Sequence, residues 1–200
     1  MDQPEQGSQL TAAFAAFDRA NAADPRLVDD GGEKVPYELL YARRMTEELN
    51  RFAPDASVAL QLAARAQHLE RWRSPREDYP MDREGYLRWR TDLKQFHAAR
   101  AQEILAEVGY PPEVQERVAF LLQKKRLKRD AETQTLEDVV CIVFLKHYAA
   151  EFAGEHRHGK VIDILHKTLG KMSDRGRAAA LEAELPSAVR GMVLEAMETE

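Results

Sequence analysis

Cysteine is all but missing from this chain. Cys141 stands alone among 200 residues, which excludes an intrachain disulfide and any four-cysteine zinc site. Long apolar runs are missing too. The longest, Val139 to Leu145, ends at Lys146, far short of the ~20 residues a membrane-spanning helix needs. No apolar N-terminal segment of the secretory kind is present, so the sequence predicts a cytoplasmic protein with no membrane partner. Period-two alternation of apolar residues is scarce, which argues against a sheet-based fold.

What is abundant is helical periodicity, and the expected fold is all-α. A first helix is expected over Ser8 to Ala22 and a second from Pro36 to just before Pro54. A third is expected over Ala56 to Arg71, N-capped by Asp55. Gly85–Val108, Pro112–Lys125 and Leu136–Phe152 follow, then Val161–Lys171, Arg175–Glu184 and Ser187–Met197. The polar residues 1–9 are expected to fray. Residues 10–185 read as a single helical bundle, and 186–200 as a C-terminal helix that extends it.

Formal charge is −5. Acidic residues dominate both ends, while Arg and Lys crowd two internal stretches. A nucleic-acid partner usually requires a basic face, so a small anionic ligand is favoured over nucleic acid. The segment RSPREDYPMDREGY, with two prolines and one glycine, is the only long irregular stretch within the helical region. Loops of that length in compact helical proteins are more often functional than accidental.

The chemistry-bearing residues gather around that stretch. Gln67, His68, Arg71 and Trp72 close the expected third helix, with His68, Arg71 and Trp72 on one face. Arg76, Tyr79, Arg83, Tyr86 and Arg90 follow, and the guanidinium fork matches carboxylate and phosphate geometry. Lys124 and Lys125, in a basic run, are further candidates for holding an anion. His97 lies seven residues, or two helical turns, after Arg90. Glu137 and Asp138 open a very apolar helix, where an unpaired charge is costly, so Asp138 is expected to have a cationic partner. His68, His97 and Asp138, drawn from three successive helices, form a candidate ligand set for one divalent metal (Zn, Mn or Fe). Such a metal would activate a water for hydrolysis. His68, Asp138 and Glu137 are the candidate catalytic residues. The competing expectation is a non-catalytic, metal-free module that binds a nucleotide, an anionic metabolite or an RNA end.

Two resemblances bear on these residues. The segments Glu38-Leu39-Leu40-Tyr41-Ala42-Arg43-Arg44-Met45, Arg65-Ala66-Gln67-His68-Leu69-Glu70-Arg71-Trp72 and Gly85-Tyr86-Leu87-Arg88-Trp89-Arg90 carry the first. Together with Phe96-His97-Ala98 and Gln134-Thr135-Leu136-Glu137-Asp138, they resemble the family known as domain of unknown function 4202, over roughly residues 10 to 185. That family name implies no reaction. The order of the histidines and the Glu-Asp pair is also similar to the HD-domain metal-dependent phosphohydrolases. This likeness implies a helical core with His68 in the His-Asp pair and Asp138 as the distant aspartate. The chain departs from the HD pattern at two points: Arg43 or Arg44 stands where a histidine is expected, and Leu69 replaces the aspartate of the pair.

Overall fold

The computed structural model describes residues 3–198. The all-α expectation holds, and among these residues no helix is long and apolar enough to cross a membrane. The described residues pack as two compact units, residues 3–50 with 55–125, and residues 51–54 with 126–198.

The first unit begins with helix α1 (Gln3–Asn21), five residues earlier than its apolar stripe suggests. Met1 and Asp2 lie outside the described residues, and so does the fraying expected of them. A short antiparallel hairpin follows, β1 (Leu27–Asp30) and β2 (Glu33–Pro36), in the span read from sequence as a loop. Its turn residues Gly31 and Gly32 have φ of 66° and 94°, values that a two-residue hairpin loop demands and glycine supplies without strain. Helix α2 (Tyr37–Phe52) starts where Asp24 waits for it: one carboxylate oxygen accepts from the Glu38 N–H at 3.0 Å, the other from the Arg26 N–H at 2.9 Å.

Helix α3 (Val58–Arg65) is half the expected length. Its cap is Ser57, whose hydroxyl accepts from the Leu60 N–H at 3.2 Å. It stops at Ala66, and a 3-10 turn over Arg71–Arg73 follows. Helix α4 (Arg83–Glu107) is capped by Asp82, which accepts from the Gly85 N–H at 2.7 Å. Helix α5 (Pro112–Leu122) opens on a proline, a favoured first helical residue. Phe17, Met45, Leu49, Leu62, Leu69, Leu105 and Leu121 are fully buried and fill the core of this unit. Arg65 ties three of its helices together. The guanidinium forks onto Asp18 at 2.8 and 2.7 Å, reaches the Thr46 hydroxyl at 3.1 Å, and lies over the Phe14 ring.

The second unit holds α6 (Ala131–His147), α7 (Ala149–Glu155), α8 (His158–Lys171), α9 (Asp174–Glu182) and α10 (Ser187–Glu198). The expected Leu136–Phe152 helix is really two, starting five residues earlier under an Asp130 cap and breaking at Tyr148. Its core contains Leu136, Ile142, Leu145 and Leu165. The last residues of α2 belong to this unit: Arg175 donates to the Phe52 carbonyl and lies over the Phe52 ring at 4.3 Å.

Candidate functional site

The site in the first unit is built around the turn that ends α3. Glu70 adopts a left-handed conformation with φ 50°, a cost that only surrounding bonds offset. Those bonds come from several directions. The Glu70 N–H donates to the Asn21 side chain at 2.9 Å, and its carboxylate accepts from Arg73 at 3.0 Å and Arg100 at 2.9 Å. Asn21 is itself buried, and its amide also reaches the Glu38 carbonyl at 3.4 Å. One side chain therefore links the start of α2 to the turn that carries His68. Because α3 has ended, His68, Arg71 and Trp72 do not share a helical face. His68 and Arg71 still meet, with Arg71 Nη1 3.4 Å from His68 Nδ1.

The His68 ring lies flat on Tyr41, with centroids 4.0 Å apart and planes 10° apart. Glu38, one turn earlier on α2, brings Oε2 to 3.4 Å from His68 Nδ1. The Glu38 side chain is only 6% exposed, and Oε2 makes no hydrogen bond among the described residues. Burial raises this carboxyl to about 7, against the opposing pull of Arg71 and Arg26. His97, from α4, sits with its ring centroid 6.0 Å from that of His68. Its Nδ1–H donates to the Leu69 carbonyl at 2.8 Å, which leaves Nε2 as the lone-pair nitrogen.

Both imidazoles are neutral at physiological pH. Burial holds His68 well below the ordinary imidazole value, and the positive charges of Arg71, Arg90 and Lys124 add to the effect. His97 is pushed down to about 3, first by burial and then by His68, although its bond to the Leu69 carbonyl acts the other way. Among the described residues Arg71 has that long contact with Nδ1 as its one side-chain hydrogen bond, and its guanidinium stands 5.2 Å from the Trp89 ring. Arg90 is half-buried and, among the described residues, makes no hydrogen bond or ion pair.

The remaining predicted residues are placed as follows. Gln67 is buried, and its Oε1 lacks a hydrogen-bond partner among the described residues. Trp72 is half-buried, while Arg83, Tyr86 and Lys125 are exposed. Arg76 is occupied by its own loop, donating to the carbonyls of Tyr79, Pro80 and Asp82. The Tyr79 hydroxyl donates to Asp92 at 3.1 Å, on the wall of a recess of about 410 Å³ also lined by Arg73, Ser74 and Arg88. Lys124 is half-buried with φ 55°.

Glu137 and Asp138 belong to the second unit and lie in the second turn of α6, not its first. Asp138 has neutral partners where a cation was expected. It accepts from the Ser173 N–H at 2.8 Å, the Ser173 hydroxyl at 2.6 Å and the Gln134 amide at 3.0 Å. Among the described residues no group of three or more His, Cys, Asp or Glu side chains is gathered as metal donors. Glu38 is the site residue that sequence reasoning missed. An acid in the first turn of a helix reads as a partner of the helix dipole, and only its placement beside Tyr41 on the His68 side gives it away.

No curated protein and no solved structure matches this chain. The resemblance to HD-domain phosphohydrolases is not confirmed. The family described as Domain of unknown function (DUF4202) matches over residues 11–193, nearly the whole sequence, and the chain belongs to that family.

Proposed function

We propose that the first unit binds a small anionic molecule, phosphorylated or carboxylate-bearing, through Arg71, Arg90 and Lys124. His68 serves beside it as the acid–base group of a hydrolytic reaction. The observation that carries this reading is the surplus of cations around a neutral imidazole. Arg90 is half-buried without an anionic partner among the described residues, and Arg71 is spent on a 3.4 Å contact with a ring nitrogen. Burying a guanidinium without a counter-charge is costly, and an anionic ligand supplies that charge. Burial, with the positive charges of Arg71, Arg90 and Lys124 adding to it, keeps His68 unprotonated, and a neutral imidazole is what a general base requires.

Calorimetry and thermal shift with inorganic phosphate, sulfate and citrate, against chloride at matched ionic strength, test the binding. The multivalent anions are expected to raise Tm through preferential binding to the native state. Arg90→Ala is expected to weaken them about 10- to 100-fold, the equivalent of one hydrogen bond to a charged group. Equal shifts for all salts, or an Arg90→Ala variant with unchanged affinity, refute the reading. Hydrolysis of a phosphomonoester or carboxylester reporter that is lost in His68→Asn and survives chelator supports the acid–base role. Turnover that a chelator abolishes would direct attention to a metal.

A further inference from the structure

His68 Nδ1 has two suitors, and they want opposite things from it. Arg71 Nη1 and Glu38 Oε2 each stand 3.4 Å from that nitrogen. A guanidinium only donates, so Arg71 needs a lone pair on Nδ1. An ionised carboxylate only accepts, so above pH 7, where the Glu38 carboxyl at about 7 is mostly ionised, Glu38 needs a proton there. A neutral imidazole carries one N–H and satisfies one of them at a time. The other groups facing the ring do not bond Nδ1: Tyr41 from α2 covers one face, Arg90 and His97 approach from α4, and Lys124 from the end of α5.

We propose that Glu38 is the positioning residue of His68, that Arg71 holds the ring in the opposite tautomer, and that an anion bound by Arg71 releases it. This rests on the anion-binding reading above for its trigger, although not for the competition itself. Without an anion, Nδ1 accepts from Arg71, the ring proton sits on Nε2, and Glu38 Oε2 is left buried without a hydrogen bond. When an anion draws the guanidinium away, the Trp89 ring beside it offers a surface over which it remains stacked. Nδ1 then carries the proton and, keeping it, donates a hydrogen bond to Glu38 Oε2. The ring exchanges one proton through solvent, losing it at Nε2 and gaining it at Nδ1, so its charge is unchanged. What changes is Nε2, which becomes a free lone pair only while an anion is in place. A base exposed only in the presence of substrate follows from the geometry. Tyr41, stacked on the ring, lets the proton change places without the ring turning.

Long-range ¹H–¹⁵N spectra of the full chain at pH 8, where Glu38 is mostly ionised, labelled at histidine, report the tautomer of His68 directly, with His68→Asn identifying its signals. The anion-free protein is expected to show the Nε2–H form. Arg71→Met, also anion-free, is expected to show the Nδ1–H form, a change of about tenfold or more in tautomer ratio, the size of one hydrogen bond. Saturating inorganic phosphate should move the unsubstituted protein the same way, and Glu38→Met should block that move. The Arg71→Met and phosphate arms leave Glu38 intact, so the inference stays testable should Glu38→Met fail to fold. It is overturned if Arg71→Met keeps the tautomer of the parent protein, or if phosphate binds by calorimetry and the tautomer stays put. A tautomer change in Arg71→Met with no heat of phosphate binding supports the competition while refuting both the trigger and the anion-binding reading.

Discussion

His97→Asn isolates one proton from the acid stability of the protein. The side chain of His97 is buried and donates Nδ1–H to the Leu69 carbonyl at 2.8 Å. Asparagine presents an amide N–H at much the same distance from the backbone, so the donor is kept and the titration is lost. The folded protein holds His97 down at about 3, from an ordinary value of 6.5. A depressed imidazole value means that the unfolded chain takes up a proton below pH 6.5 that the folded chain refuses until about pH 3. Stability is therefore lost as pH falls from 6.5, at about 1.4 kcal/mol per unit once well below that value, and levels off near pH 3. Between pH 8 and pH 5 the His97 contribution amounts to about 2 kcal/mol. The neighbouring groups His68 and Glu38 titrate in both proteins and largely cancel in the comparison. Urea unfolding followed by the fluorescence of Trp72 and Trp89 measures the difference. His97→Asn is expected to be the weaker protein at pH 8, through lost packing, with the gap narrowing by about 2 kcal/mol at pH 5. A gap equal at the two pH values refutes the buried, neutral assignment of His97.

Two glycines give further tests. A Cβ at Gly85 would collide with the backbone carbonyl of Pro80, which cannot yield as a flexible side chain can and also accepts from Arg76. Gly85→Ala is expected to cost about 3 kcal/mol, at the upper end for overpacking, and to open the 74–82 loop to protease; an unchanged Tm and cleavage pattern would contradict this. At Gly176 a Cβ would stand 2.5 Å from the Asp138 carboxylate, itself held by Ser173 and Gln134. Gly176→Ala should destabilise by about 2 kcal/mol, much less so in an Asp138→Ala background, and additive losses in that double-mutant cycle would show that the two groups do not touch.

The helical content was legible because helical periodicity needs only the chain itself. The early end of α3 was not. Ala66-Gln67-His68-Leu69-Glu70-Arg71 contains no glycine, proline or β-branched residue, and every member favours or tolerates a helix. The break comes from Asn21 and Arg100, distant in sequence, which bind the N–H and carboxylate of Glu70 in its left-handed state. The hairpin had a local signal, the Asp-Gly-Gly turn, but its four-residue strands were too short to show alternation. The convergence of His68, His97, Arg71 and Arg90 was readable as residue types near one loop. Two roles were not readable. Arg76 carries the right chemistry for anion binding, yet three loop carbonyls occupy it. Glu38 looks like an ordinary helix-start acid until tertiary structure sets it against an imidazole.

The short excursion of residues 51–54 into the second unit has a consequence for how this protein can be cut and recombined. A break after Lys125 looks like a natural seam, since the two long segments on either side fold into different units. Yet the 126–200 fragment would lack Phe52, the ring beneath Arg175, and the carbonyl to which that guanidinium donates. The complementary 1–125 fragment would carry Phe52 at the end of α2 without its cover. Neither half is a cassette. Any exchange of the 126–200 segment for another therefore has to carry residues 51–54 with it, a tetrapeptide more than seventy positions away along the chain.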